Sequence, residues 1–232
     1  KGSMDDIFAL EERMTEAASS LLAVHRGTHA AVANRPDVPA SAAAFEQYLR
    51  GVEFSRALAT SEPALACLER AVELDPAFAP AWAWLGRAYR VIGKYTLEDR
   101  SAYDERAERA LRRALALNPD LPIAHRFLTN AESERGRAEE AIARLLRQTA
   151  VNRNDAHLFA GLVNACRYAG LADASLAASR EAARLDPTLV SGYEWTLVFG
   201  PPRIALDLEA SVARGDPGAR VIHLVLQERR AE

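Results

Sequence analysis

Residues 79–119 read APAWAWLGRAYRVIGKYTLEDRSAYDERAERALRRALALNP. Large side chains at Trp82, Leu85 and Tyr89 stand at helical spacing around the small Gly86, Gly93 interrupts, and Ala107, Leu111 and Ala114 resume the rhythm before Pro119. Two helices joined by a turn satisfy this pattern. Small residues let the paired helices approach, and large ones fill the gap between one pair and the next. The closing Leu117-Asn118-Pro119 recurs upstream as Leu74-Asp75-Pro76 and downstream as Leu185-Asp186-Pro187, with the weaker Asn152-Arg153-Asn154 where a fourth mark is due. Pro119 to Arg153 is 34 residues and Arg153 to Pro187 another 34, whereas Pro76 to Pro119 is 43, one period plus nine. Proline biases the residue before it away from helix, so each mark ends a second helix. Gly93, Gly136 and Gly170 are expected to end the first helices through left-handed caps, which glycine tolerates best. The nine extra residues, around 94–102, must lengthen the turn or its helices, and are expected to project from one edge.

A 34-residue unit with a large residue at its fourth position and a small one at its eighth resembles the tetratricopeptide repeat. In the unit from Ala79, Trp82, Leu85, Gly86, Tyr89 and Gly93 take positions four, seven, eight, eleven and fifteen. The unit from Pro122 keeps Leu128, Gly136, Ala141 and Leu145 but has His125 at four and Glu132 at eleven; the unit from Ala156 keeps Phe159, Leu162, Gly170 and Ala182, with Val163 and Ser175 at small-residue positions. Upstream, Tyr48 to Gly51 with Ala64, Leu68, Ala71 and Pro76 reads as a first unit in which Gly51 falls one residue out of register. The resemblance implies an all-α fold, a right-handed α-solenoid of stacked antiparallel helical hairpins. Residues 40–214 are expected to form an array of four to five hairpins, the last broken at Gly200-Pro201-Pro202. Residues 215–232 form a capping segment, with 219–229 read as helix in preference to strand despite the β-branched Val221, Ile222 and Val225. Residues 4–33 are read as an amphipathic helix, Asp5 to His25, and a linker from an upstream domain; 1–3 look like an expression remnant. Asp6 to Glu12, followed after Arg35-Pro36-Asp37-Val38-Pro39 by Ala44 to Gly51, resembles the junction between TolB-like segments and tetratricopeptide arrays in multidomain bacterial signalling proteins.

Composition limits the function classes. Apolar residues at 49% and charged residues at 26% describe a chain that folds. A net charge of -3 and a pI near 6.0 provide no basic surplus for nucleic acid, and no apolar run reaches the ~18 residues of a membrane span, so neither partner is expected. Cys67 and Cys166 lack metal or redox spacing and read as free buried thiols, which fits a reducing, cytoplasmic setting. No cofactor or metal is expected. His25 and His29 are spaced i, i+4, but Gly27 lies between them and no acidic residue follows at a useful offset, so a solvated helix end is the preferred reading. His125 reads as a packing residue. No phosphate loop or nucleophile–base arrangement occurs in recognisable context, and the chain is read as a non-enzyme.

What remains is a binding face. In the family that the repeats resemble, positions two, five, nine, twelve and thirteen of each unit line a concave groove. Carried onto this chain they include Arg87, Arg90, Arg126, Asn130, Asn164, Arg167 and Tyr168, with Val91, Ser133, Glu134 and His157 beside them. Arginine forks suit carboxylates and asparagine pairs peptide groups, so the expected partner is a protein or an acidic peptide. The carboxylate clamp of some chaperone-binding relatives is not reproduced, because Gly161 stands where its next asparagine belongs. The competing reading is self-association into a homo-oligomer through exposed apolar residues of the terminal helices. A small-ligand site would need a closed pocket, which open solenoids rarely provide.

Overall fold

A computed structural model describes residues 36–95 and 100–189. Among them are eight α-helices and no strand: α1 (Ala42–Phe54), α2 (Ser61–Leu74), α3 (Ala79–Tyr95), α4 (Arg100–Leu117), α5 (Pro122–Glu134), α6 (Ala138–Val151), α7 (Ala156–Tyr168) and α8 (Ala172–Leu185). The chain divides between Ala124 and His125 into two compact units. Hairpins α1/α2 and α3/α4 belong to the first; α6, α7, α8 and nearly all of α5 belong to the second. The expected helix at Asp5 to His25, the His25–His29 pair, the fifth unit beyond Leu189 and the segment 219–229 lie outside the described residues.

The Asp/Asn-Pro marks are turns with a defined mechanism. At each, the side-chain oxygen of the Asp or Asn accepts the N–H two residues on: Ala77 N to Asp75 Oδ1 at 3.1 Å, Asp120 N to Asn118 Oδ1 at 3.1 Å, Thr188 N to Asp186 Oδ1 at 2.9 Å. The residue three places on donates to its carbonyl, as Phe78 does to Asp75 and Leu121 to Asn118, each at 3.2 Å. Such side-chain turns compete with continued helix and stop it there. The third residue after the Asp or Asn is thereby turned inward: Phe78 is 2% exposed and Leu121 8%. At the fourth mark, which lacks proline, Asp155 takes over as N-cap of α7 and accepts from His157 N at 2.8 Å.

Gly136 and Gly170 end α5 and α7 as expected, at φ 79° and 73°. Each cap is doubly bonded: Arg137 N donates to Glu132 O and Gly136 N to Ser133 O, and Leu171 N and Gly170 N repeat this on Cys166 O and Arg167 O. Gly93 departs from the expectation. It lies buried inside α3, where an added Cβ would come within 2.6 Å of Tyr103 Cβ, so its function is close helix approach, not capping. Part of the nine-residue insertion lengthens the hairpin's helices to 17 and 18 residues, against 13 and 14 in the other hairpins; residues 96–99 lie outside the described residues.

Within the first unit the α1/α2 and α3/α4 hairpins share one core of Leu68, Val72, Phe78 and Leu85, flanked by Phe45, Tyr48, Trp82, Trp84 and Tyr89. Both tryptophans lie against that core; Trp82 Nε1 also donates to Pro76 O at 3.0 Å. Gly51 packs on Leu68 as Gly86 does on Leu111, so its shifted register is absorbed in the connection, which contains a 3-10 turn at Leu58–Thr60. Residues 36–40 are pinned to the α2–α3 turn by Ala79 N to Pro36 O at 2.7 Å and Ala40 N to Asp75 Oδ2 at 2.6 Å.

The second unit is built on Leu145, Leu158, Leu162 and Val163. His125 is buried, as the packing reading requires. Glu132, standing where the preceding unit has Tyr89, is held in a largely buried ion pair with Arg144, which also donates to Thr129 Oγ1 at 2.9 Å. Ser175 serves as a small residue and donates its hydroxyl to Val163 O at 2.8 Å. Cys67 and Cys166 are free; Cys166 is buried and Cys67 half-buried.

Candidate functional site

Helical geometry sets Arg126, Asn130 and Ser133 along one stripe of α5, and His157, Asn164, Arg167 and Tyr168 along one side of α7. The two stripes come closest near Gly161, which packs against the α5 backbone. A Cβ there would lie 3.4 Å from Arg126 Cα, in contact with the α5 backbone, and 2.9 Å from Leu145 Cδ1, so a larger residue would have to displace the Leu145 side chain.

At that separation the residues at position nine of the two units meet. Asn164 Nδ2 donates to Asn130 Oδ1 at 2.8 Å, across a sequence separation of 34. Arg167 Nη2 donates to Asn164 Oδ1 at 2.6 Å, and its guanidinium stacks on the Tyr168 ring at 4.3 Å. The direction of this relay follows from donor chemistry. Arginine can only donate, so the Asn164 oxygen must face it, which turns the Asn164 amide nitrogen to the Asn130 oxygen. Both ends of Asn164 are thereby engaged, and the Asn130 oxygen accepts one hydrogen bond. The row is left with N–H groups: the Asn130 amide and the remaining guanidinium hydrogens of Arg167, whose buried Nε has no hydrogen-bond partner among the described residues.

Toward the N-terminal ends of these helices, Arg126 Nη1 approaches His157 Nδ1 at 3.3 Å. The guanidinium donates, so Nδ1 accepts and the imidazole is neutral with its proton on Nε2. Burial, reinforced by the Arg126 charge, pushes the His157 pKa below its ordinary 6.5, and the nearby Asp155 and Asp186 carboxylates only partly oppose this. The folded state therefore binds fewer protons at His157 than the unfolded chain. This contribution to stability is complete above pH ~6.5 and is lost as the pH falls through the depressed folded value. Urea denaturation between pH 7 and pH 5 is expected to show that loss, and His157→Gln to flatten it; an unchanged slope in the variant contradicts the assignment.

Arg87 and Arg90 lie on α3 in the other compact unit. Arg87 Nη1 donates to Ser55 O, at the C-cap of α1, at 3.0 Å, and its guanidinium sits over Trp84 at 5.2 Å. Burial first, then repulsion from Arg90, lowers its pKa to about 10, so it remains charged at neutral pH. Part of Arg87's hydrogen-bonding capacity thus ties one hairpin to the next. The structure brings Asn130, Asn164, Arg167 and Tyr168 into one connected row, places Arg126 with His157, and sets Arg87 and Arg90 in the first unit. Sequence reasoning alone does not reach the internal relay, although its signal is present: the same residue type at the same repeat position, 34 residues apart. Among the described residues no group of His, Cys, Asp and Glu is arranged to hold a metal ion, and no helix is long and apolar enough to cross a membrane.

The sequence matches no protein-family model and no curated protein. Among solved structures, the chain is similar to PilF of Pseudomonas aeruginosa, with 18% identity, a TM-score of 0.50, and coverage of 80% of this chain and 91% of that one. The fold is that of tetratricopeptide-repeat proteins. A thermophilic tetratricopeptide-repeat protein of Thermus thermophilus also matches, at 21% identity and a TM-score of 0.42, over 67% of this chain and 99% of that one. In tetratricopeptide terms, the connected row runs through position nine of two successive repeats and position twelve of the second.

Proposed function

We propose that this chain is a protein-interaction module and that the α5–α7 face of its second unit holds a peptide through carboxylate and carbonyl oxygens. The observation that carries the reading is the direction of the Arg167–Asn164–Asn130 relay. Each amide oxygen already accepts one hydrogen bond from within the row, the Asn130 amide and the Arg167 guanidinium offer N–H donors, and Arg126 adds a second guanidinium on the same face, so the row suits acceptors better than donors. Arg126 and Arg167 would take acidic side chains, and the Asn130 amide a main-chain carbonyl. The resemblance of the segments around 6–12 and 44–51 to a bacterial signalling junction supports placing the module in a regulatory protein.

Calorimetric titration with a short oligoglutamate peptide tests this. Arg126→Ala and Arg167→Ala are each expected to lose about 1–2 kcal/mol of binding, about fivefold to thirtyfold, since each removes a charge-assisted hydrogen bond. Affinity should also fall as salt rises. Equal affinity in the wild type and both variants defeats the reading.

A second reading, self-association, is supported by the exposed Leu49 and Phe54 on α1 and Leu58 in the turn after it. Light scattering over a concentration series decides it, and a strictly monomeric species rules it out.

A further inference from the structure

In the second unit, a shallow depression of about 680 Å³ opens where the C-terminal ends of α5 and α7 meet the first turn of α6. Glu134, Glu139 and Glu140 line it, with Tyr168, Ala169 and Ser133, and no lysine or arginine is among its lining residues. The last carbonyls of α7 add the negative end of a helix dipole at Ala169. Glu139 and Glu140 are exposed and sit in the first turn of α6, where they offset that helix's positive end. Two further observations point to a ligand. Ser133 is 2% exposed, yet its hydroxyl has no hydrogen-bond partner among the described residues, which is costly unless something polar reaches it. Tyr168 is 41% exposed, and its ring already stacks with one guanidinium, that of Arg167, so it presents the π surface that cations favour. Among the described residues these carboxylates form no group that could hold a metal ion.

We propose that this depression seats a basic side chain, lysine or arginine, of the partner peptide. The ammonium or guanidinium would lie among the three glutamates, donate to Ser133 Oγ and rest its stem on Tyr168. The partner would then carry mixed charge: acidic groups along the Arg126–Arg167 row and a basic residue toward the α5–α6 turn. The assignment of both charges to one peptide rests on the reading of the row given above; the cation site itself does not.

The test uses the full chain, labelled with nitrogen-15, and three small probes. These are Nα-acetyl-lysine methylamide, its neutral Nε-acetylated analogue, and Nα-acetyl-aspartate methylamide. The lysine probe is expected to shift the backbone amides of Gly136 and Ala169, the neutral analogue to leave them in place, and Glu139→Gln combined with Glu140→Gln to weaken the lysine probe by about threefold or more. Equal shifts from the neutral analogue, no shift from the lysine probe, or unchanged binding in the double variant would overturn the proposal. The aspartate probe reports separately on the donor row at Arg167. Its failure beside a bound lysine probe would remove the acidic-peptide reading and leave the cation site standing.

Discussion

Phe78→Ala is expected to destabilise the first unit by about 3–5 kcal/mol, a large share of the ~5–15 kcal/mol that holds a typical domain together. Phe78 is nearly fully buried and meets Tyr48 and Phe45 edge-on, with ring centroids at 5.1 and 6.5 Å. It reaches that position because the Asp75 turn directs it inward, so one side chain links the α1/α2 hairpin to the start of α3. Truncation removes a large apolar surface and the aromatic contacts, and leaves a cavity that three helices would have to collapse to fill. Thermal and urea unfolding of the purified variant measure the loss. A cost below about 1 kcal/mol would show that the turn residue is peripheral to the core.

Gly86→Val is the second change expected to be severe, at about 2–3 kcal/mol, even though replacing a helical glycine normally favours the helix. A Cβ at position 86 would lie 2.5 Å from Leu111 Cγ and 3.0 Å from the Ala107 carbonyl oxygen. Leu111 is fully buried and the carbonyl belongs to a helix backbone, so neither can move without separating α3 from α4. Gly136 provides the contrast. Nothing lies within 4 Å of a Cβ there, and its constraint is the φ of 79° alone. Asparagine, which tolerates the left-handed region, should therefore substitute at 136 with little loss and fail at 86. Equal tolerance at both sites would mean that the hairpin does not depend on close approach.

The contrast between these glycines shows how far the sequence can be read. The 34-residue spacing, the small residue at Gly86 and the Asp/Asn-Pro marks are sufficient for helix pairs and for most of their ends. Gly93 defeats the reading because a capping glycine and a contact glycine look alike in one dimension; the inserted residues extend α3 past it, and only its packing on Tyr103 tells the two roles apart. The inward turn of Phe78 and Leu121 is equally hidden, although Asp-Pro-Ala-Phe and Asn-Pro-Asp-Leu announce it once the side-chain turn is recognised. At the candidate site, repeat positions nine and twelve lead to Asn130, Asn164 and Arg167, which the structure sets side by side. Their mutual bonding is not legible, because it depends on how near α7 packs to α5 and on which way each amide turns. The acidic depression is only half legible: Ser133 to Glu140 are contiguous in the chain, but nothing in the sequence shows that Tyr168 and Ala169, some thirty residues on, close its other side.

The side-chain amide resonances of Asn130 and Asn164, followed by NMR while oligoglutamate is added, give the most direct view of the donor row. If the relay holds a peptide, the Asn130 NH2 signals move on binding, those of Asn164 respond through their shared hydrogen bond, and both changes vanish in Arg167→Ala. Saturated binding that leaves both amides where they were would place the peptide elsewhere and contradict the account.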